Sequence, residues 1–201
     1  MKRIFIAIPL YQFPTPECME AVINLVGVFR NKYDITVRLI SGYSADVART
    51  TATEMFLATQ CDDLLFVDSD VIVTDSVIDK LVEADKDVVT GIYHKKSLTI
   101  RHSEVYRITG DKKFEAYPTD EVPAGLFEIT ACGFGCVLLK REVVRKVMEA
   151  TKGVPFKFVQ GDNKSVYISE DIYFCNELSK LGIRIYADGT AVCGHVGKYM
   201  Y

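Results

Sequence analysis

Apolar residues follow two alternating rhythms over the first ninety positions. Arg3–Ile8 is an unbroken β-rich run, the pattern of a strand buried on both faces. Pro14-Thr15-Pro16-Glu17 then opens a helix, with Thr15 as N-cap, Pro16 at the first helical position and an acid in the first turn. Met19, Val22, Ile23, Val26 and Phe29 continue it at helical spacing. Asp34–Ile40 reads as a strand, with Ile35, Val37 and Leu39 alternating, and after the Ser41-Gly42 turn residues 46–59 are helical again. Asp63–Val67 predicts a further strand that ends in Asp68-Ser69-Asp70. Thr74-Asp75 caps a helix to about Ala84, and Asp87–Thr90 is another strand. This alternation predicts a Rossmann-like α/β fold, a mostly parallel sheet with helices on both faces. Such sheets present ligands at the carboxyl ends of their strands, which is where Asp68-Ser69-Asp70 falls.

The rhythm fails after Gly91. Residues 91–123 begin basic and polar (His94, Lys95, Lys96, Arg101, His102, Arg107) and predict short antiparallel strands and a mobile loop, the smaller antiparallel part of the fold. Phe127–Leu139 reads as a strand or hairpin through Cys132-Gly-Phe-Gly-Cys136. A helix from Lys140 to about Ala150 follows, then a flexible loop over 157–168. A last helix starts at Ser169-Glu170-Asp171 and is ended by Gly182, and Ile183–Ala187 is a strand.

At 201 residues the chain predicts a single domain, regular over 1–90 and less regular over 91–201. The net charge of −3 excludes a broadly basic nucleic-acid binder, although a local basic groove has room in the 94–107 stretch. An apolar share of 49% with 25% charged residues excludes a disordered chain. No apolar run approaches the roughly 18–20 residues of a membrane span. The opening Met1-Lys2-Arg3 precedes an apolar stretch broken by Pro9, without a small-residue cleavage site, so a cytoplasmic protein is expected. The six cysteines then predict free buried thiols; Cys132, Cys136, Cys193 and His195 leave a zinc site as the alternative.

Residues two apart in an extended segment point the same way, so Asp68 and Asp70 can face one point. With no cation adjacent in sequence, they suit a hard divalent metal bound to phosphate oxygens. The plain alternative is turn and capping chemistry. Glu170 and Asp171 complement a helix N-terminus capped by Ser169, and one of them can instead accept a proton from a hydroxyl. His195, flanked by Gly194 and Gly197, is a candidate metal ligand or an ordinary half-buried histidine. Pro9 and Tyr11 end the first strand, where an aromatic can stack on a nucleobase. Asp46 and Arg49 share a helix face and read most simply as a surface ion pair.

Taken in order, these segments resemble the GT-A glycosyltransferases, especially the family 2-like nucleotide-sugar transferases. The matching segments are Ile8-Pro9-Leu10-Tyr11, Ala45–Thr50 with Ala48-Arg49, Leu65–Asp70 with its D-x-D, Gly133–Arg141, Ser169-Glu170-Asp171 and Gly194-His195-Val196-Gly197. The resemblance implies a metal-dependent, inverting transfer of a sugar from a UDP- or GDP-linked donor to an acceptor hydroxyl. It implies manganese or magnesium on Asp70, Asp68 and His195, with Pro9, Tyr11, Asp46, Arg49, Asp68 and Ser69 on the nucleotide-sugar. Asp171 is the implied general base and Glu170 the second choice. Thr50 stands where the family has Asn, and no Asn follows Tyr11. The alternatives are a nucleotidyltransferase, or a non-catalytic nucleotide- or glycan-binding module. The acceptor (glycan, lipid-linked sugar, protein or modified nucleobase) is left open.

Overall fold

The continuous apolar runs form the middle of one seven-stranded sheet. The computed structural model describes residues 1–10, 13–28, 32–97, 99, 101–110, 114–160 and 167–197. In order, the first elements are β1 (Lys2–Leu10), α1 (Pro16–Val28), β2 (Tyr33–Ser41), α2 (Ala45–Leu57), β3 (Asp63–Val67), β4 (Val71–Ile72), α3 (Asp75–Glu83) and β5 (Val88–Ile92). Next come β6 (His102–Ile108), β7 (Phe114–Pro118), β8 (Leu126–Ile129), β9 (Ala131–Cys132), β10 (Cys136–Lys140) and α4 (Arg141–Ala150). The last are β11 (Val159–Gln160), β12 (Tyr167–Ile168), α5 (Glu170–Lys180), β13 (Ile185–Val192) and β14 (Gly194–His195).

The large sheet has the order β2-β1-β3-β10-β5-β13-β8. Strands β2, β1, β3, β5 and β13 run one way; β10 and β8 run against them. A smaller antiparallel sheet, β7-β6-β9, and the two-stranded pairs β14-β4 and β11-β12 stand beside it. The fold is therefore α/β with a mostly parallel sheet, the class that the alternation predicts.

Strand alternation divides the core into two layers. Phe5, Ala7, Leu64, Phe66, Val137 and Leu139 face one side, where α2, α4 and α5 cover them through residues such as Phe56, Val144 and Phe174. Ile4, Ile6, Ile8, Leu65, Val67 and Leu138 face the other, under Val22 and Leu25 of α1 and Ile78 and Leu81 of α3. On the first side Phe66, Phe134, Phe156 and Phe174 pack ring to ring, with Phe156 and Phe174 stacked at 4.6 Å. Among the described residues no helix is long and apolar enough to cross a membrane.

Several local expectations change. The buried stripe of α1 is Cys18, Val22 and Leu25, which pack into the second core layer, with Ile23 and Val26 exposed; Cys18 Sγ also meets the Asp68 carbonyl at 3.6 Å. Phe29 lies outside the described residues. Residues 127–139 are not one strand or hairpin. They contribute β8 to the edge of the large sheet, β9 to the small one and β10 to the middle of the large one. The expected loop at 157–168 begins and ends in the paired strands β11 and β12, and 161–166 lie outside the described residues. All six cysteines are free and buried. Cys132 and Cys136 belong to opposite core layers, so the zinc alternative has no common centre.

The chain breaks between β9 and β10 at Gly133-Phe134-Gly135 because Tyr93 lies against that backbone. The Gly135 N–H donates to the Tyr93 hydroxyl at 2.9 Å, and a Cβ on Gly135 would stand 2.6 Å from ring carbon Cζ and 2.8 Å from the hydroxyl oxygen. Tyr93 in turn meets His195 edge to face at 5.3 Å. Gly135→Ala should therefore cost about 1–3 kcal/mol of stability through overpacking, read from urea denaturation. An unchanged midpoint and slope would contradict this packing.

Candidate functional site

A cavity of about 350 Å³ opens at the carboxyl ends of β1 and β3, lined by residues from both halves of the chain. Strand β3 is buried throughout, and its first polar residues beyond the core are Asp68, Ser69 and Asp70. Its end is fixed by backbone bonds. The Asp68 N–H donates to the Gly135 carbonyl at 3.1 Å, Val71 N–H to the Asp68 carbonyl at 3.0 Å, and Thr15 N–H to the Ser69 carbonyl at 2.9 Å. Thr15 also caps α1, its hydroxyl accepting from the Cys18 N–H at 3.2 Å.

Arg49 lies beneath the cavity and is only 5% exposed. Its guanidinium donates through Nη2 to Asp68 Oδ1 at 2.8 Å and through Nη1 to Glu170 Oε1. Burial works against the charge, but Asp68 and Glu170 outweigh it and raise the guanidinium pKa. For Glu170 burial is the larger effect, so its carboxyl is raised despite the pull of Arg49. Arg49 is thus not the surface partner of Asp46. Asp46 instead accepts from the Ser44 hydroxyl at 2.5 Å and does not line the cavity. Glu170 also lines the cavity, with its Oε1 held by Arg49.

Asp70 turns to a different set of cations. Lys96 donates to Asp70 Oδ2, and His195 Nε2 stands 3.5 Å from Oδ1. The pairing of β14 with β4, His195 opposite Val71, brings the late histidine here, and Val196 N–H donates to the Asp70 carbonyl at 2.7 Å. Burial would raise the Asp70 carboxyl, but the hydrogen-bonding contacts of His195 and Lys96 outweigh it and hold it down at about 2. Asp68 and Asp70 therefore share the cavity with separate partners, Arg49 for Asp68 and Lys96 and His195 for Asp70.

Asp171, in the first turn of α5, also lines the cavity. Its Oδ1 accepts from the Ile172 N–H at 2.8 Å and from the Ser169 hydroxyl, so Ser169 spends its side chain on Asp171 instead of on a helix N–H. Among the described residues no donor engages Oδ2. Pro9 and Ser69 line the cavity as well; Tyr11 lies outside the described residues. Tyr93, Glu104 and Lys96 join the site without any local motif. The Glu104 carboxylate accepts from the Tyr106 hydroxyl at 2.5 Å. The basic 94–107 stretch is largely paired: Lys95 lies over the Tyr106 ring, Lys96 is on Asp70, and Arg107 meets Glu115 and Glu121.

Among the described residues, no group of three or more His, Cys, Asp or Glu side chains is arranged as a metal centre. Asp70 and His195 nonetheless fit as a two-ligand platform. His195 Nδ1 lies 2.6 Å from the His94 carbonyl, which can only accept, so Nδ1 carries a hydrogen. In the neutral ring Nε2 is then an electron-pair donor beside Asp70 Oδ1, the usual way a protein orients a ligating imidazole. The remaining positions around such an ion would fall to phosphate oxygens and water.

No family model matches the chain, and no curated protein sequence matches it. Among solved structures, it is similar to A197 from STIV at 25% identity over 98% of this chain and 87% of that one, with a TM-score of 0.61. Looser likenesses, at TM-scores of 0.44 and 0.42, are a UDP-glucose pyrophosphorylase complexed with UDP-glucose (10% identity, 93% and 72% coverage) and the 4-diphosphocytidyl-2C-methyl-D-erythritol synthase of Anaerococcus prevotii (16% identity, 89% and 99% coverage).

Breaking the Arg49 pairing should be costly. Arg49→Met leaves Glu170 buried and unpaired, a loss of about 3–5 kcal/mol in denaturant titration. Arg49→Met combined with Glu170→Met should recover much of that loss, and a double variant no better than the single one would contradict the pairing.

Proposed function

We propose that the chain is a metal-dependent glycosyltransferase that moves a sugar from a UDP- or GDP-linked donor to an acceptor hydroxyl with inversion. The observation that carries this reading is the gathering of Asp68, Asp70, Asp171 and His195 around one cavity at the strand ends, from segments far apart in sequence. The order of segments resembling GT-A transferases supports it. A nucleotidyltransferase is less favoured because the stretch from the end of β1 onward, Pro9–Pro14, contains no glycine to cradle phosphates on backbone N–H groups.

Each residue then has a task. Manganese or magnesium bound by Asp70 and His195 would neutralise the charge that grows on the departing diphosphate. Arg49 holds Asp68 by its Oδ1 and fixes that carboxylate for a ribose or sugar hydroxyl. Pro9 and Leu10 border the nucleoside. Asp171, with Oδ1 occupied, presents Oδ2 to the acceptor hydroxyl and takes its proton as the oxygen attacks the anomeric carbon. The Ile172 N–H and the Ser169 hydroxyl, both on Oδ1, fix the direction of that carboxylate. Glu170 is a positioning residue acting through Arg49. The transition state of such a transfer is oxocarbenium-like.

The test is incubation with Mn²⁺ and a panel of UDP- and GDP-sugars, measuring released nucleoside diphosphate and the anomeric configuration of the product. Asp171→Asn should slow turnover about 10²–10⁴-fold while donor affinity holds. Near-normal turnover in that variant, or retention of configuration, would remove Asp171 as base. Release of pyrophosphate from a nucleoside triphosphate would favour the nucleotidyltransferase instead.

A further inference from the structure

Lys96 is the one residue of this site whose charge is borrowed rather than built in. Among the described residues five carboxylates line the cavity: Asp68, Asp70, Glu104, Glu170 and Asp171. Arg49 is committed to two of them, Asp68 and Glu170. Asp70 is left to His195 and to the Lys96 ammonium, which lies on the carboxylate edge beside the proposed metal position. The Lys96 side chain is 35% exposed, whereas that of Arg49 is 7% exposed. The backbone flanking Lys96 is fixed: Lys95 N–H donates to the His102 carbonyl at 2.9 Å and Ser97 N–H to the Lys95 carbonyl at 2.8 Å. The four-carbon stem, which carries a compact charge with rotatable donors, can turn without disturbing these bonds.

A divalent ion binding Asp70 and His195 must compete with that ammonium for the same carboxylate. An anionic diphosphate entering the cavity meets a surplus of carboxylates and needs every cation it can recruit. We propose that Lys96 is a resident counter-ion of the empty site and a diphosphate ligand of the filled one, its ammonium transferring from Asp70 to the donor's phosphates when the metal takes Asp70. No bond is made or broken in this exchange, only ion pairs. Its consequence is ordered, mutually reinforcing binding: metal alone is held weakly, nucleotide alone is repelled, and together each relieves the other's cost. The inference rests on the donor-site reading above.

Lys96→Met keeps the stem and deletes the charge. Lys96 is half-exposed and packs no core, so this variant and Lys96→Arg should fold as the parent does, which circular dichroism checks. Mn²⁺ binding without nucleotide, followed by the electron paramagnetic resonance of free Mn²⁺, should tighten about five- to tenfold in Lys96→Met. Affinity for UDP or GDP at saturating Mn²⁺ should weaken by a similar factor, and Lys96→Arg should behave as the parent in the nucleotide arm. Unchanged Mn²⁺ affinity, or unchanged nucleotide affinity, in Lys96→Met overturns the exchange. Asp70→Asn separates the two levels. If it abolishes Mn²⁺ binding while Lys96→Met matches the parent, the donor site stands and only the exchange falls. If Mn²⁺ binding survives in Asp70→Asn, the donor-site reading falls with it.

Discussion

An excess of negative charge around one cavity is the constraint on which the rest of this structure turns. Carboxylates from β3, β6 and α5 converge there, and they can do so only because cations from other parts of the chain meet them. Arg49 is the most deeply set of these cations. By reaching Asp68 at the end of β3 and Glu170 at the start of α5, it ties three elements into one floor. The energetic asymmetry of buried ion pairs gives that tie its force. The intact pairing contributes modest net stability, whereas loss of one partner leaves an uncompensated charge in the interior.

The fold supplies the convergence. Strands buried on both faces end together at one edge of the sheet, and the first residues that can be polar there are those that leave the core. The insertion of β10 between β3 and β5 places Gly133-Phe134-Gly135 against Tyr93, and the β14-β4 pair delivers His195 beside Asp70. Phe134, in the aromatic cluster, also lies under the Arg49 guanidinium at 5.9 Å. Core packing and site geometry are thus parts of the same contact network.

Much of this was legible in the sequence, and the reasons are local. The regular first ninety residues announce their elements because period and caps are short-range signals, and Asp68, Asp70, Asp171 and His195 stand out because they sit at element ends. What escaped was long-range. Arg49 stands three residues from Asp46, which suggests an ordinary helix-surface pair, and nothing nearby reveals a partner 121 residues away. Lys96 and Asp70 are 26 residues apart in a stretch without periodicity. Tyr93 and Glu104 carry no motif at all. The split of residues 127–139 among three strands is set by sheet order, which alternation does not encode.

In the proposed function this acidic cavity receives a nucleoside diphosphate only in company with a divalent cation. Calorimetric titration of the unmodified protein with UDP and with GDP, in Mn²⁺ and then in chelator, tests it most directly. Saturable binding of at least one nucleotide is expected in Mn²⁺ and none in chelator. Equal affinity in both conditions, or no binding of either nucleotide with Mn²⁺ present, would contradict it.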